Sequence, residues 1–181
     1  MKWRLFIAAL ILPLALASCA PAANADPFLY QDRPAEVTAT LTTDTGKVSF
    51  VITLPPAADA VSRRDAVIRL TAPETLSGIT VSATGQVIEI SSGDVKLPVS
   101  AEAGERWLSV IGLFCLDRDS VTSVTEENGG VTVAVGSEPE RIFVSFDAGE
   151  AVPKEIKTEG GELSLSVEKY KFTDTGSEGV E

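Results

Sequence analysis

Hydrophobic and polar positions alternate along most of the chain. From Ala35 the segment AEVTATLTT sets Val37, Ala39 and Leu41 on one side and Thr38, Thr40 and Thr42 on the other, and KVSFVITLP repeats the period with Val48, Phe50 and Ile52. A period of two is the pattern of a strand with one buried face. Asp44-Thr45-Gly46 between the runs supplies turn chemistry, so the pair reads as a hairpin. A Pro/Ala-rich break from Pro55 to Asp65, carrying Arg63-Arg64 as a solvated loop feature, leads to AVIRLTA, a third strand on Val67 or Ile68, Leu70 and Ala72. ITVSAT, QVIEISS and DVKLPVS follow as short strands turned at Gly85-Gln86 and Gly93-Asp94. Pro98 places the last of these at an edge or a strand end.

The period changes in AEAGERWLSVIGLFCLDR, Ala101 to Arg118, where Trp107, Val110, Ile111, Phe114 and Cys115 recur at three- and four-residue spacing. This predicts one long helix. Leu108, Leu113 and Leu116 widen its apolar stripe, so most of its circumference is expected to be buried against the sheet as a central plug. Alternation then returns in SVTSVTEE and VTVAVG around Asn128-Gly129-Gly130, and continues through RIFVSFD, PKEIKTE and ELSLSVEKYKF, with Gly160-Gly161 turning the last two. Leu163, Leu165, Val167 and Tyr170 are expected on one face of the final strand. No internal repeat is visible. The expected fold is mainly β with one long helix: a curled antiparallel sheet of about ten strands, a half-barrel wrapped around that central helix.

The N-terminus reads differently. Lys2 and Arg4 form a basic start, Leu5 to Leu16 an apolar run interrupted only by Pro13, and Ala17-Ser18 a small-residue exit, the three parts of an export signal. The run is shorter than the ~18 to 20 residues that span a bilayer as a helix. Leu-Ala-Ser-Cys at 16–19 resembles the lipobox of bacterial lipoproteins, in which the Cys thiol is lipidated and the chain is cut just before it. That resemblance implies an S-diacylglycerol and an N-acyl group on Cys19, and two or three buried chains anchor stably where one does not. The chain thus divides into a signal peptide at 1–18, a lipidated N-terminus and tether at 19–34, the half-barrel domain at 35–172 and a polar tail at 173–181.

Charge narrows the partners. The chain carries 15 Lys plus Arg against 26 Asp plus Glu, and losing Lys2 and Arg4 with the leader takes the net charge from −11 to −13. Nucleic acid and anionic lipid surfaces both require clustered cations, so neither is an expected electrostatic partner. Membrane contact is expected through the anchor. Once Cys19 is lipidated, Cys115 has no second cysteine to pair with.

A lipobox, a run of antiparallel strands, the phrase TAPETLSGITVSATG at Thr71 to Gly85, a midchain helix and a closing GGELSLSVEKYKF follow one another in an order that resembles small lipoproteins of Gram-positive, clostridial-type bacteria. Those proteins are similar in fold to Lol-type (LolA/LolB-like) carriers and receptors of lipoproteins and to mycobacterial lipid-carrying lipoproteins. The resemblance covers about Val37 to Phe172. It implies a half-barrel whose concave apolar face holds acyl chains under a helical lid. This chain departs from the carriers in its acidity and its one helix, and only Cys19 carries over by position. Whether the concave cavity is open or filled by the chain's own side chains is left open by the departures.

Candidate chemistry is sparse. With no His, Ser-His-Asp and Cys-His catalysis and His-containing zinc sites are excluded. Asp117-Arg118-Asp119 could hold a cation, or simply form a helix terminus entering a solvated turn, and Glu126-Glu127-Asn128 reads as a hairpin tip. Cys115 on the apolar stripe reads as a small buried hydrophobe, lacking the neighbouring cation that activates a thiol. Trp107, Ile111 and Phe114 either line a hydrophobic ligand pocket or belong to the core, since the spacing suits both. No catalytic residues, metal or cofactor beyond the lipid on Cys19 are expected. The expected protein is a non-enzymatic lipoprotein outside the cytoplasm, anchored to the cell membrane, or to an outer membrane if there is one. There it binds or chaperones a lipid or acylated protein; the alternative is a structural or interaction module of a cell-envelope complex without a ligand.

Overall fold

The structure, a computed structural model, describes residues 26–56, 65–85 and 87–173. The signal peptide at 1–18, Cys19 with the tether to residue 25, Arg63-Arg64, Gln86 and the tail from 174 lie outside the described residues.

The strands are β1 (Ala35–Thr43), β2 (Gly46–Leu54), β3 (Ala66–Ala72), β4 (Ile79–Thr84), β5 (Val87–Ser92) and β6 (Val95–Val99), then β7 (Val121–Glu127), β8 (Gly130–Val135), β9 (Ile142–Phe146), β10 (Glu155–Thr158) and β11 (Ser164–Phe172). A helix, α1 (Ala101–Gly112), joins the two groups. All eleven strands form one sheet in the order β6-β5-β4-β3-β2-β1-β11-β10-β9-β8-β7. Each pairing is antiparallel, and the first and last strands pair at the centre, with Leu41 opposite Leu165 and Ala35 opposite Phe172. The two meanders therefore unroll in opposite directions from one seam and leave β6 and β7 as edges. The sheet stays open as a half-barrel, with one strand more than the approximate count from periodicity.

Register follows the hydrophobic face. Val37, Ala39 and Leu41 stand opposite Ile52, Phe50 and Val48, while the outward Thr40 bonds Ser49 Oγ at 2.8 Å and donates to Glu168 at 2.7 Å. Between β1 and β11 the register slips at Thr38/Ala39, which face Lys169 and Val167, so Glu168 is an extra residue. That bulge lets Val167 and Tyr170, three apart, share the inner face with Leu165. In β3 the inner residues are Ala66, Ile68 and Leu70, and Val67 is exposed on the outside. At the β7–β8 hairpin Asn128 and Gly129 both have positive φ, 53° and 81°, the geometry that a two-residue type I′ turn requires.

The helix differs from its expected length. It ends at Gly112, not Arg118, and the chain then tightens: the N–H of Phe114 donates to Ile111 O and that of Cys115 to Gly112 O, both at 3.0 Å. Glycine is a weak helix former, and these three-residue bonds close the last turn. Leu113, Phe114 and Leu116 consequently reach the core from a turn rather than from a helical stripe. On α1 itself Glu102, Glu105, Arg106, Ser109 and Gly112 are exposed, so the helix is amphipathic and buries one side only, not most of its circumference. Gly104 allows its close approach to β5, because a Cβ there would lie 2.3 Å from Ile88 Cδ1. Cys115 is half-buried rather than buried.

The segment before β1 also belongs to the core. A short 3₁₀ turn, Leu29–Asp32, buries Phe28, Tyr30 and Gln31. Tyr30 stacks edge-on to Tyr170 at 5.8 Å and lies 6.3 Å from Phe28 and from Phe146. The sequence boundary at residue 34 therefore falls inside packed structure, because aromatic rings here gain more from the half-barrel interior than a solvated tether could offer.

Candidate functional site

The inner face of the sheet, the turn after α1 and the aromatic residues before β1 form one core. Ile111 is 2% and Phe114 0% exposed, both inside that core, while Trp107 is only partly buried and stands at its margin. The sequence-predicted trio is thus not a single lining. The core includes Phe28 and Tyr30 from the segment before β1 and Val110, Ile111, Leu113, Phe114 and Leu116 from the end of α1 and the turn after it.

At the other end of β1 a cleft borders the core. The β1–β2 hairpin brings Leu41 opposite Val48, and a 3₁₀ turn at Glu74–Leu76, held by Leu76 N–H on Pro73 O at 2.9 Å, presents Leu76 and Pro73 beside them. Trp107 joins them. The resulting cleft has a volume of about 440 Å³ and is rimmed by Lys47 and Arg106. Its size falls within the roughly 300–1,000 Å³ typical of small-ligand sites, and Leu41, Val48, Pro73, Leu76 and Trp107 share its lining with Thr43, Thr45, Gly46, Lys47 and Arg106. Arg106 also borders a second cleft of about 610 Å³, whose other lining includes Asp44, Glu102, Glu105 and Glu162. An apolar hollow and a charged one thus meet at a single guanidinium.

Of these residues periodicity singles out only Trp107. Leu41 and Val48 read as ordinary core positions, Leu76 lies within the turn phrase, and Lys47 and Arg106 look like solvated charges. They come from three separate stretches of chain, and no local spacing links them.

The remaining candidates are structural. Asp117 accepts from the Ser120 hydroxyl at 2.6 Å and from Asp119 N–H at 3.0 Å, capping a short 3₁₀ turn at Arg118–Ser120. Those two bonds hold its carboxyl below the usual range. Arg118 turns back to pair with Asp26 at 3.0 Å and with Asp32, and donates to Phe28 O at 3.1 Å. The bond to Asp32 raises its already high pKa. The cluster fastens the segment before β1 to the exit of α1. Among the described residues no group of three or more His, Cys, Asp and Glu is placed to hold a metal ion, and no helix is long and apolar enough to cross a membrane.

No family model and no curated protein matches the sequence. Among solved structures the chain is similar to an uncharacterized conserved protein from Thermus thermophilus, at 12% identity and a TM-score of 0.49 over 83% of this chain and 85% of that one. It is similar to a putative outer membrane lipoprotein-sorting protein domain from Vibrio parahaemolyticus, at 8% identity and a TM-score of 0.42 over 81% and 88%. A LolA superfamily protein from Nitrosomonas europaea is similar at 11% identity and a TM-score of 0.39, again over 81% and 88%. No cleft residue is carried over from these structures.

Proposed function

We propose that this chain is a lipoprotein anchored outside the cytoplasm through lipid on Cys19, and that its half-barrel takes up the acyl part of a lipid or acylated ligand. The observation that carries the reading is the cleft beside Trp107, where Leu41, Val48, Pro73 and Leu76 meet at the hairpin end of β1. Moving an aliphatic chain from water onto Leu41, Val48, Leu76 and Trp107 is favoured by about 25 cal/mol per Å² buried. The segment that would lead to the anchor enters β1 at its opposite end. Leu41 stands six residues along β1 from Ala35, so the cleft begins roughly 20 Å from that entry. No catalysis is assigned.

Native mass spectrometry of the full chain carrying Cys19→Ser tests this. Copurifying lipid that is lost in Trp107→Ala is the expected result, and uniformly empty protein refutes the reading. The anchor is tested separately by metabolic labelling with palmitate, which Cys19→Ala should abolish.

A second reading, an interaction module of an envelope complex, draws support from the filled middle of the half-barrel and from the sheet edges. Val95 and Leu97 on β6 are 60% and 59% exposed on the concave side. Lys96 and Pro98 blunt that edge against pairing, whereas β7 carries no proline. Crosslinking in cells that yields a stoichiometric protein partner with no bound lipid would favour this second reading.

A further inference from the structure

The face of the sheet turned away from the core carries a line of hydroxyls. Thr125 on β7 stands opposite Thr132 on β8, Thr132 opposite Ser145 on β9, Ser145 opposite Glu155 on β10, and Glu155 opposite Ser166 on β11. The same row runs on through Thr40 on β1 to Ser49 on β2. Six of its seven positions are Ser or Thr. Neighbouring strands lie about 4.8 Å apart, so the row is roughly 29 Å long. The rows on either side differ from it. One holds Lys169, Arg69 and Lys96 with the apolar Val51. The other holds Lys47 and Lys157 with Phe143 and Ala134.

The stretch of this row from Thr125 to Ser166 lines a groove of about 600 Å³. The β7–β8 hairpin tip, with Glu127 and Asn128, and the β9–β10 connection, with Asp147 and Lys154, lie past the row at one end of these strands and line the groove too. Its ionic groups are largely matched. Lys157 pairs with Glu155, and Lys154 with Asp147, both at 2.8 Å. In a chain of net charge −11, the groove holds one carboxylate, Glu127, outside those two pairs. The rest of its polar lining is hydroxyl and amide. Thr132 and Ser145 bond each other at 3.1 Å, and such a pair keeps an O–H and lone pairs for a ligand. An ammonium group uses only the acceptors and a phosphate only the donors, whereas a sugar hydroxyl uses both. We propose that the groove binds a neutral polysaccharide lying across the strands, its rings stepping along the row. The strand spacing is comparable to the repeat of one ring in an extended glycan, so successive hydroxyls meet successive rings. The row is on the opposite face of the sheet from Leu41 and Val48, and the assignment is independent of the acyl-cleft reading.

The test titrates the full chain carrying Cys19→Ser with the dimer and the hexamer of N-acetylglucosamine and with an oligogalacturonate hexamer, followed by amide NMR spectra. Contacts accumulate along the row, so the neutral hexamer should bind roughly tenfold more tightly than the dimer and shift the amides of Thr125, Thr132, Ser145 and Ser166. Its affinity should be the same at about 0.05 M and about 0.5 M salt, as an uncharged ligand requires. The anionic hexamer should bind roughly tenfold more weakly, repelled by Glu127 and by the chain's net charge of −11. Thr132→Val with Ser145→Ala removes two hydroxyls with little change of shape and should weaken the neutral hexamer roughly five- to fiftyfold. Thr125→Val with Ser166→Ala, at exposed positions, makes the same test if the first pair of substitutions disturbs folding. Absence of hexamer binding, a hexamer no tighter than the dimer, or unchanged affinity in a folded variant overturns the assignment. Equal binding of the anionic hexamer overturns it as well. None of these results bears on the acyl cleft.

Discussion

Replacing Gln31 by Leu removes a side chain that is 3% exposed and bonded at both ends to one backbone unit, Leu116, 85 residues away. Its Oε1 accepts from Leu116 N–H at 3.0 Å, and its Nε2 donates to Leu116 O at 3.4 Å. Leu116 has no other hydrogen-bond partner for these groups among the described residues. Leucine fills a similar volume, so the perturbation is the loss of partners rather than a cavity. The 3.4 Å bond is long and contributes little; the 3.0 Å bond sets the magnitude. A buried N–H left without an acceptor costs about 1–3 kcal/mol, since water cannot reach it. For a domain of this size that lowers the thermal midpoint by roughly 2–12 °C. Circular dichroism melts of Gln31→Leu and the parent chain measure the shift, and hydrogen exchange at the Leu116 amide should accelerate with it. A variant as stable as the parent, with Leu116 equally protected, would show that this strap does not hold the segment before β1 to the core.

Phe114→Ala should cost about 3–5 kcal/mol in urea unfolding, because the ring is fully buried where the turn after α1 meets the sheet; a loss below about 1 kcal/mol would contradict its place in the core. Gly104→Val should destabilise by about 1–3 kcal/mol through the clash with Ile88, despite the helix propensity gained, and Ile88→Ala in the same chain should recover part of the loss. The Asp117 carboxyl titrates below its unfolded value, so its contribution to stability is present above the unfolded pKa and lost as pH falls through the folded one. Ser120→Ala removes the larger of the two causes and should move the Asp117 pKa up towards the ordinary range in a carboxyl NMR titration; an unchanged value refutes the capping role.

Much of the sheet is legible in the order of residues because strand formation here is local and periodic. Val37, Ala39 and Leu41 alternate with threonines whatever lies beside them, and Asn128-Gly129 accepts positive φ without help from distant residues. The end of α1 is less legible. The apolar run continues through Leu116 at helical spacing, and only the tight bonds after Gly112 show that its second half is a turn. Tyr170 is legible as an inner residue only with the bulge at Glu168, which depends on pairing with β1 across most of the chain.

The chain's own pattern of alternation, turn residues and charge settles that this is an acidic, mainly β protein with a helix at midchain. Packing settles the rest. Phe28 and Tyr30 join the core because the curled sheet offers their rings an apolar interior that a linear segment cannot reveal. The cleft exists because Leu41, Val48, Leu76 and Trp107 converge from three separate stretches of chain, and Arg106 of α1 lines both it and its charged neighbour. Burial and convergence are properties of the surrounding atoms, and those atoms come from distant parts of the chain.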